Sequence, residues 1–183
     1  NTAPSGVLID TVLDSYFINV ESSYNAADTE YKGFEINTLK KVSFLNCSGI
    51  GNGGDGFFMD SAFSRGNALY SCFAEGNGQT GFTVNGPVSL YSCRSTGNDT
   101  DGFAVIGPNI TLDGYSSIDN GSDGIKVRTN GDDSRIRGCV LIDNDGYGIN
   151  VLSGATESIL DSNYYSGNTL GNILDSGTGT IIR

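Results

Sequence analysis

The chain has 183 residues, 37% of them hydrophobic, with 27 glycines against 3 prolines. That is enough apolar material for one continuous core, and glycine without proline marks turns rather than a disordered tract. Twenty-one acidic against ten basic residues and no histidine give a net charge of −11, which repels a phosphate backbone and excludes nucleic acid as a partner; with no apolar run of about 18 residues, no helical membrane insertion is expected either.

Taken in chain order, the first strand signature is glycine followed by alternating apolar residues, at Gly6-Val7-Leu8-Ile9 and again at Gly33-Phe34-Glu35-Ile36. From Cys47 a longer unit repeats. Cys47 to Asn52, Cys72 to Asn77, Cys93 to Asn98, Tyr115 to Asn120, Cys139 to Asn144 and Asn163 to Asn168 align without gaps, and their closing asparagines step by 25, 21, 22, 24 and 24 residues. Four residues after the asparagine stands Gly56, Gly81, Gly102, Gly124 or Gly148, followed at once by Phe57, Phe82, Phe103, Ile125 or Ile149 and two residues later by Met59, Val84, Val105, Val127 or Val151. An apolar-x-apolar triplet after glycine reads as a strand with one buried face. Phe44, Leu69, Leu90, Leu112, Ile136 and Leu160, each three residues before the Cys/Tyr column, mark a second strand per repeat.

A repeat of this length points to a solenoid. No helical periodicity separates the strands and the Leu-x-x-Leu-x-Leu pattern is absent, which excludes leucine-rich repeats. The expectation is an all-β, right-handed parallel β-helix (β-solenoid) of about seven coils of 21–25 residues, filling 1–183 as a single domain, roughly 35 Å tall at one strand spacing per coil. Asn52, Asn77, Asn98, Asn120, Asn144 and Asn168 form a predicted turn ladder, expected both to take the left-handed backbone conformation and to pass side-chain hydrogen bonds from coil to coil. Cys47, Cys72, Cys93 and Cys139 share one column; three consecutive rungs of cysteine cannot all pair, so they are read chiefly as buried free thiols, with one bridge between neighbouring rungs as the alternative.

The Asn-x-x-Asp/Thr-Gly-Phe/Ile repeats resemble the pectate-lyase-like right-handed parallel β-helix superfamily over roughly residues 6 to 175. That superfamily contains polysaccharide lyases, polygalacturonases, C5-epimerases, phage tailspikes and surface or structural solenoids, so the resemblance implies a fold and a choice of functions. It implies, for the active members, carboxylate pairs or a basic residue beside calcium on one long face. The best match here is Asp123, Lys126, Arg128 and Asp101, with Asp132 or Asp133 nearby; Lys126 and Arg128 alternate with Ile125 and Val127 and are expected to face solvent. The histidine-containing motifs of polygalacturonases and epimerases are absent.

Other surface features carry two readings each. Asp99, Asp101 and Asp123 crowd carboxylates on neighbouring turns, which suits calcium; Asp-Gly is also ordinary turn chemistry on a solvated edge. Tyr70 and Tyr91 align two residues before the cysteine column and serve either as a carbohydrate-stacking platform or as cross-strand packing. Asn109 opens the glycosylation pattern Asn-Ile-Thr beside Pro108. The start at Asn1 fits a mature product or an excised piece, and the absence of an obvious cap, with Asn172 to Arg183 reading as a last strand pair, favours self-association through solenoid ends or sides. The first functional expectation is therefore an extracellular, cell-surface or virion-surface structural solenoid without catalysis. The alternatives are a polysaccharide lyase, glycoside hydrolase or tailspike-like depolymerase, and a carbohydrate-binding module. Calcium is the only cofactor the residues point to, and polysaccharide the only ligand.

Overall fold

The computed structural model describes residues 5–26, 29–60 and 66–183. Three parallel sheets run along the chain. The first has eight strands, from Val7–Leu13 to Gly171–Asp175; the second has eight, from Tyr16–Ile18 to Ile181–Ile182; the third has seven, from Glu21–Ser23 to Tyr164–Ser166. Each coil visits the three sheets in turn, which gives seven complete coils and two strands of an eighth among the described residues.

The columns read from the repeat are the ladders of the core. In the first sheet Phe34, Phe57, Phe82, Phe103, Ile125 and Ile149 pair in register from coil to coil and are fully buried. Phe34 stacks on Phe57 with centroids 4.5 Å apart and Phe57 on Phe82 at 4.8 Å, so the strand spacing itself sets the ring spacing. In the second sheet Phe44, Leu69, Leu90, Leu112, Ile136 and Leu160 form the facing ladder. Each such side chain removed from water contributes about 1.5–3 kcal/mol. The four cysteines are buried, free thiols whose sulfurs lie near backbone carbonyls, as Cys47 Sγ does at 3.5 Å from the Phe17 oxygen. Burial pushes the Cys139 thiol up to about 12, so the column packs as small apolar residues.

The asparagine ladder is present, and its chemistry differs from expectation in one respect. The left-handed backbone falls on the residue before each asparagine, at Gly51 (φ 62°), Asp119 (φ 57°) and Asp143 (φ 54°) for example, and none of the ladder asparagines has positive φ. Their role lies in the side chain. Asn77 Oδ1 accepts from both the backbone N–H and the Nδ2 of Asn52, at 3.0 Å each, and Asn98, Asn120, Asn144 and Asn168 repeat the pattern on the rung before them. The ladder also reaches back to Asn25, which donates to Asn52 Oδ1 at 2.7 Å. Each amide thus satisfies a corner N–H that the sheets leave unpaired, inside a region closed to water.

Exposed apolar side chains concentrate in the first and last coils, among them Leu8, Leu13, Tyr16 and Ile18 at one end and Leu170, Ile181 and Ile182 at the other. Along the middle coils the side chains between the inward residues line the outer faces, and one of those faces carries the site described below.

Replacing Asn120 by Ala removes the acceptor of Asn98 and the donor to Asn144 within a fully buried corner. Urea unfolding is expected to show a loss of about 3 kcal/mol, and a smaller loss for Asn168→Ala, which sits half-buried at the end of the ladder.

Candidate functional site

The turn that leaves the asparagine ladder and enters the first sheet has an aspartate three residues after Asn52, Asn98 and Asn120. Asp55, Asp101 and Asp123 are buried, with 6%, 3% and 3% of their surface exposed, so they do not lie on a solvated edge. Each accepts the backbone N–H of the equivalent residue in the next coil: Thr80 N to Asp55 Oδ1 at 3.0 Å, Asp123 N to Asp101 Oδ1 at 3.1 Å and Tyr147 N to Asp123 Oδ1 at 2.8 Å. The backbone therefore fixes the carboxylates.

On the adjoining strand Ile125–Val127, Lys126 points outward between the two buried residues. Its Nζ bridges Asp101 Oδ1 at 3.2 Å and Asp123 Oδ2 at 3.0 Å, and its side chain is only 23% exposed rather than free in solvent. Arg128 does face solvent, 3.9 Å from Asp101 Oδ2. Asn150, the partner of Lys126 on the next strand, donates from Nδ2 to Asp123 Oδ2 at 2.8 Å. Its Oδ1 is buried and has no hydrogen-bond partner among the described residues. A cleft of about 540 Å³ opens over this cluster, lined by Gln79, Thr100, Asp101, Ser122, Lys126 and Arg128 among others.

Burial works against the charge of Lys126, but Asp101 and Asp123 outweigh it and hold its pKa above the ordinary lysine value. The ammonium is thus a fixed positive charge and no base at neutral pH. Asp55 lies the other way: burial raises its pKa, against hydrogen bonds from Thr83 and Thr80 and the charges of Lys32 and Arg128.

A family model described as the right handed beta helix region matches residues 5–170. The chain belongs to the right-handed β-helix family. Comparison with curated protein sequences returns no match. Among solved structures the chain is similar to the mannuronan C-5 epimerase AlgE4 A-module of Azotobacter vinelandii, at a TM-score of 0.62 and 16% identity over 96% of this chain and 58% of that one. It is also similar to the AlgE6 A-module of the same organism, at 0.54 and 15% identity over 98% and 65%. At such identity the likeness shows the fold, and the chain spans about three-fifths of the length of those structures.

Within this β-helix the other candidate residues separate. Asp132 is occupied with Thr156, accepting from its N–H at 2.8 Å and its hydroxyl at 2.9 Å, and Asp133 is exposed at φ 53°; neither pairs with Lys126 or Arg128 among the described ion pairs. Asp99 is exposed on the turn at the rim of the cleft. No three His, Cys, Asp or Glu side chains gather into a metal-holding group among the described residues, and Lys126 Nζ lies between Asp101 and Asp123. Tyr70 and Tyr91 stack on each other, with centroids 5.2 Å apart and planes 12° from parallel. Their faces are turned to one another along the stack, which favours packing over a sugar platform. Asn109 is exposed, with φ 60°.

Sequence reasoning missed Asn150, which occupies the outward position of a first-sheet strand, in the row Glu35, Phe58, Thr83, Ala104, Lys126, Asn150. That row was readable as the middle residue of each apolar-x-apolar triplet.

A carboxyl with a raised folded pKa contributes stability that is full below the unfolded value and is lost as pH rises through the folded one. Asp55→Asn is expected to match the parent in thermal melts near about pH 3 and to be the more stable protein near about pH 8. Identical differences at both pH values would contradict this account of Asp55.

Proposed function

We propose that this chain is the polysaccharide-contacting part of a carbohydrate-active β-helix. In this reading the glycan lies along the outer face of the first sheet, and Asp101, Asp123, Lys126 and Arg128 form the charged centre of that face. The observation that carries it is the pair of buried carboxylates bridged by a single ammonium beneath an open cleft. The solenoid does not require this arrangement, since Thr80 and Tyr147 fill the same turn position and Thr83 and Ala104 the same outward position as Lys126. Desolvating three charges opposes folding, and leaving Asn150 Oδ1 unpaired costs about 1–3 kcal/mol more. Buried charges collected beneath one cleft support a binding site.

The chemistry suits a glycan. Lys126 and Arg128 present positive charge to a sugar carboxylate or to negative charge developing on a sugar oxygen, Asp55 supplies a titratable carboxyl, and Gln79, Thr100 and Ser122 offer hydroxyl and amide partners around the cleft. With no histidine in the chain, the side chains left for proton transfer are carboxylates and tyrosines. The two similar structures are A-modules of mannuronan C-5 epimerases, which makes polymannuronate the first probe. Such a function places the protein outside the cytoplasm, where structural polysaccharides lie.

The test is calorimetric titration with polymannuronate, polygalacturonate and dextran, followed by assays of chain length, unsaturated ends and uronate configuration. Lys126→Ala and Arg128→Ala are each expected to weaken binding about tenfold or more, as loss of a charge-assisted contact does. Failure of the parent protein to bind any of the three polymers, or full binding by both variants, would contradict the proposal.

A further inference from the structure

The outer face of the second sheet differs from the other two in charge. Its first four strands, Tyr16–Ile18, Ser43–Leu45, Asn67–Tyr70 and Val88–Tyr91, contain no charged residue, in a chain of net charge −11. The corresponding strands of the first sheet carry Asp10, Glu35, Lys40 and Asp60, and those of the third carry Glu21, Glu75 and Arg94. Large apolar side chains are nevertheless left in solvent on the second sheet: Tyr16 is 73% exposed, Ile18 56% and Tyr70 41%. Two copies of so acidic a chain repel each other, and on this face the repulsion is weakest.

The face also has relief. Leu45, Tyr70 and Tyr91 pair in register down one outward row and Ser43, Ala68 and Ser89 down the other, with Phe44, Leu69 and Leu90 turned into the core between them. The two rows lie two residues apart on each strand, roughly 7 Å, so a ridge of large side chains runs beside a groove of small ones. The stack of Tyr70 on Tyr91, 5.2 Å between centroids, stiffens the ridge. Further along the axis the same rows become charged. Arg137 in the ridge row is paired with Asp113 at 2.6 Å, whereas Arg135 in the groove row and Asp161 in the ridge row make no ion pair among the described residues.

We propose that this face is the contact between two copies of the chain, lying side by side and parallel about a two-fold axis that runs along the solenoid. Such an axis keeps each strand level with its own equivalent and exchanges the two rows. The ridge of either copy then enters the groove of the other, Tyr70 over Ala68, Tyr91 over Ser89 and Leu45 over Ser43. A ridge and a groove of equal length on one surface make that surface fit itself, which is what a two-fold contact requires. The exposed Tyr16 and Ile18 meet across the contact in the first coil. The same operation sets Arg135 of one copy against the ridge row of the other, one strand step from Asp161. Across sheets roughly 10 Å apart an arginine reaches that far, and the two unpaired charges meet as a charge-assisted pair. The contact uses the second sheet, so Lys126 and its cleft on the first stay open.

The experiment is sedimentation equilibrium over a concentration series for the parent, Ser89→Lys, Tyr70→Lys, Arg135→Asp and the double variant Arg135→Asp with Asp161→Arg. Thermal melts show that each is folded, and small-angle X-ray scattering gives the shape of the dimer. The parent is expected to dimerise reversibly into a particle as long as one solenoid, roughly 35 Å, and twice as thick. Ser89→Lys and Tyr70→Lys each raise the dissociation constant about tenfold or more by placing charge inside the closed contact. Arg135→Asp raises it as well, and adding Asp161→Arg returns it to within about threefold of the parent. A parent that stays monomeric up to about 1 mM overturns the inference, as does a dimer of doubled length or one that keeps its affinity in folded Ser89→Lys and Tyr70→Lys. No recovery in the double variant overturns the parallel two-fold arrangement.

Discussion

The structure depends on a hydrogen-bonding constraint at one corner of each coil. Where the chain turns from the third sheet into the first, a backbone N–H is left inside the protein with no strand partner, and the side-chain carbonyl of the asparagine one coil ahead accepts it. The same amide group donates from its Nδ2 to the asparagine of the next coil. Asparagine serves because it carries donor and acceptor on one short planar group, so each rung satisfies its neighbour and calls for the same residue again. With the corners tied in this way the coils cannot slip against one another, and equivalent residues stack in columns along the whole axis. The phenylalanine, leucine and cysteine ladders are consequences of that register.

The register also determines what the outside can do. A row of outward side chains one strand spacing apart is a linear array, and its chemistry changes one rung at a time without disturbing the core behind it. The carboxylates of Asp55, Asp101 and Asp123 combine both tasks. One oxygen of each caps a backbone N–H of the next coil, where the asparagines cap one of the coil before, and in Asp123 the other oxygen meets Lys126 and Asn150. The part that serves the fold could be carried by a neutral acceptor. The part that faces the cleft buries charge, in Asp101 and Asp123 around Lys126.

The core was legible in the sequence because it obeys a strict alternation: Phe57 and Met59, Phe82 and Val84, Ile125 and Val127 each declare a strand and its inner face. The asparagine ladder was legible as a column, although its left-handed backbone was assigned one residue too late, since Gly51 and Asp119 tolerate that conformation as well as asparagine does. Lys126, Arg128, Asp101 and Asp123 were recognisable as a cluster from their spacing alone. What spacing does not carry is depth. Asp101 and Asp123 looked like a solvated edge and lie buried, and Lys126 looked free and is clamped between them, because the path of the turn relative to the sheet decides burial. Tyr70 and Tyr91 were correctly paired, yet only the orientation of their rings shows that each covers the face of the other.

If a glycan occupies the charged cleft over the first sheet, amide and methyl NMR spectra recorded during titration with polymannuronate oligosaccharides will show shifts at Thr100, Asp101, Ser122, Lys126 and Arg128, while Tyr70 and Tyr91 on the second sheet stay unmoved. Shifts centred on the second or third sheet would contradict that occupancy.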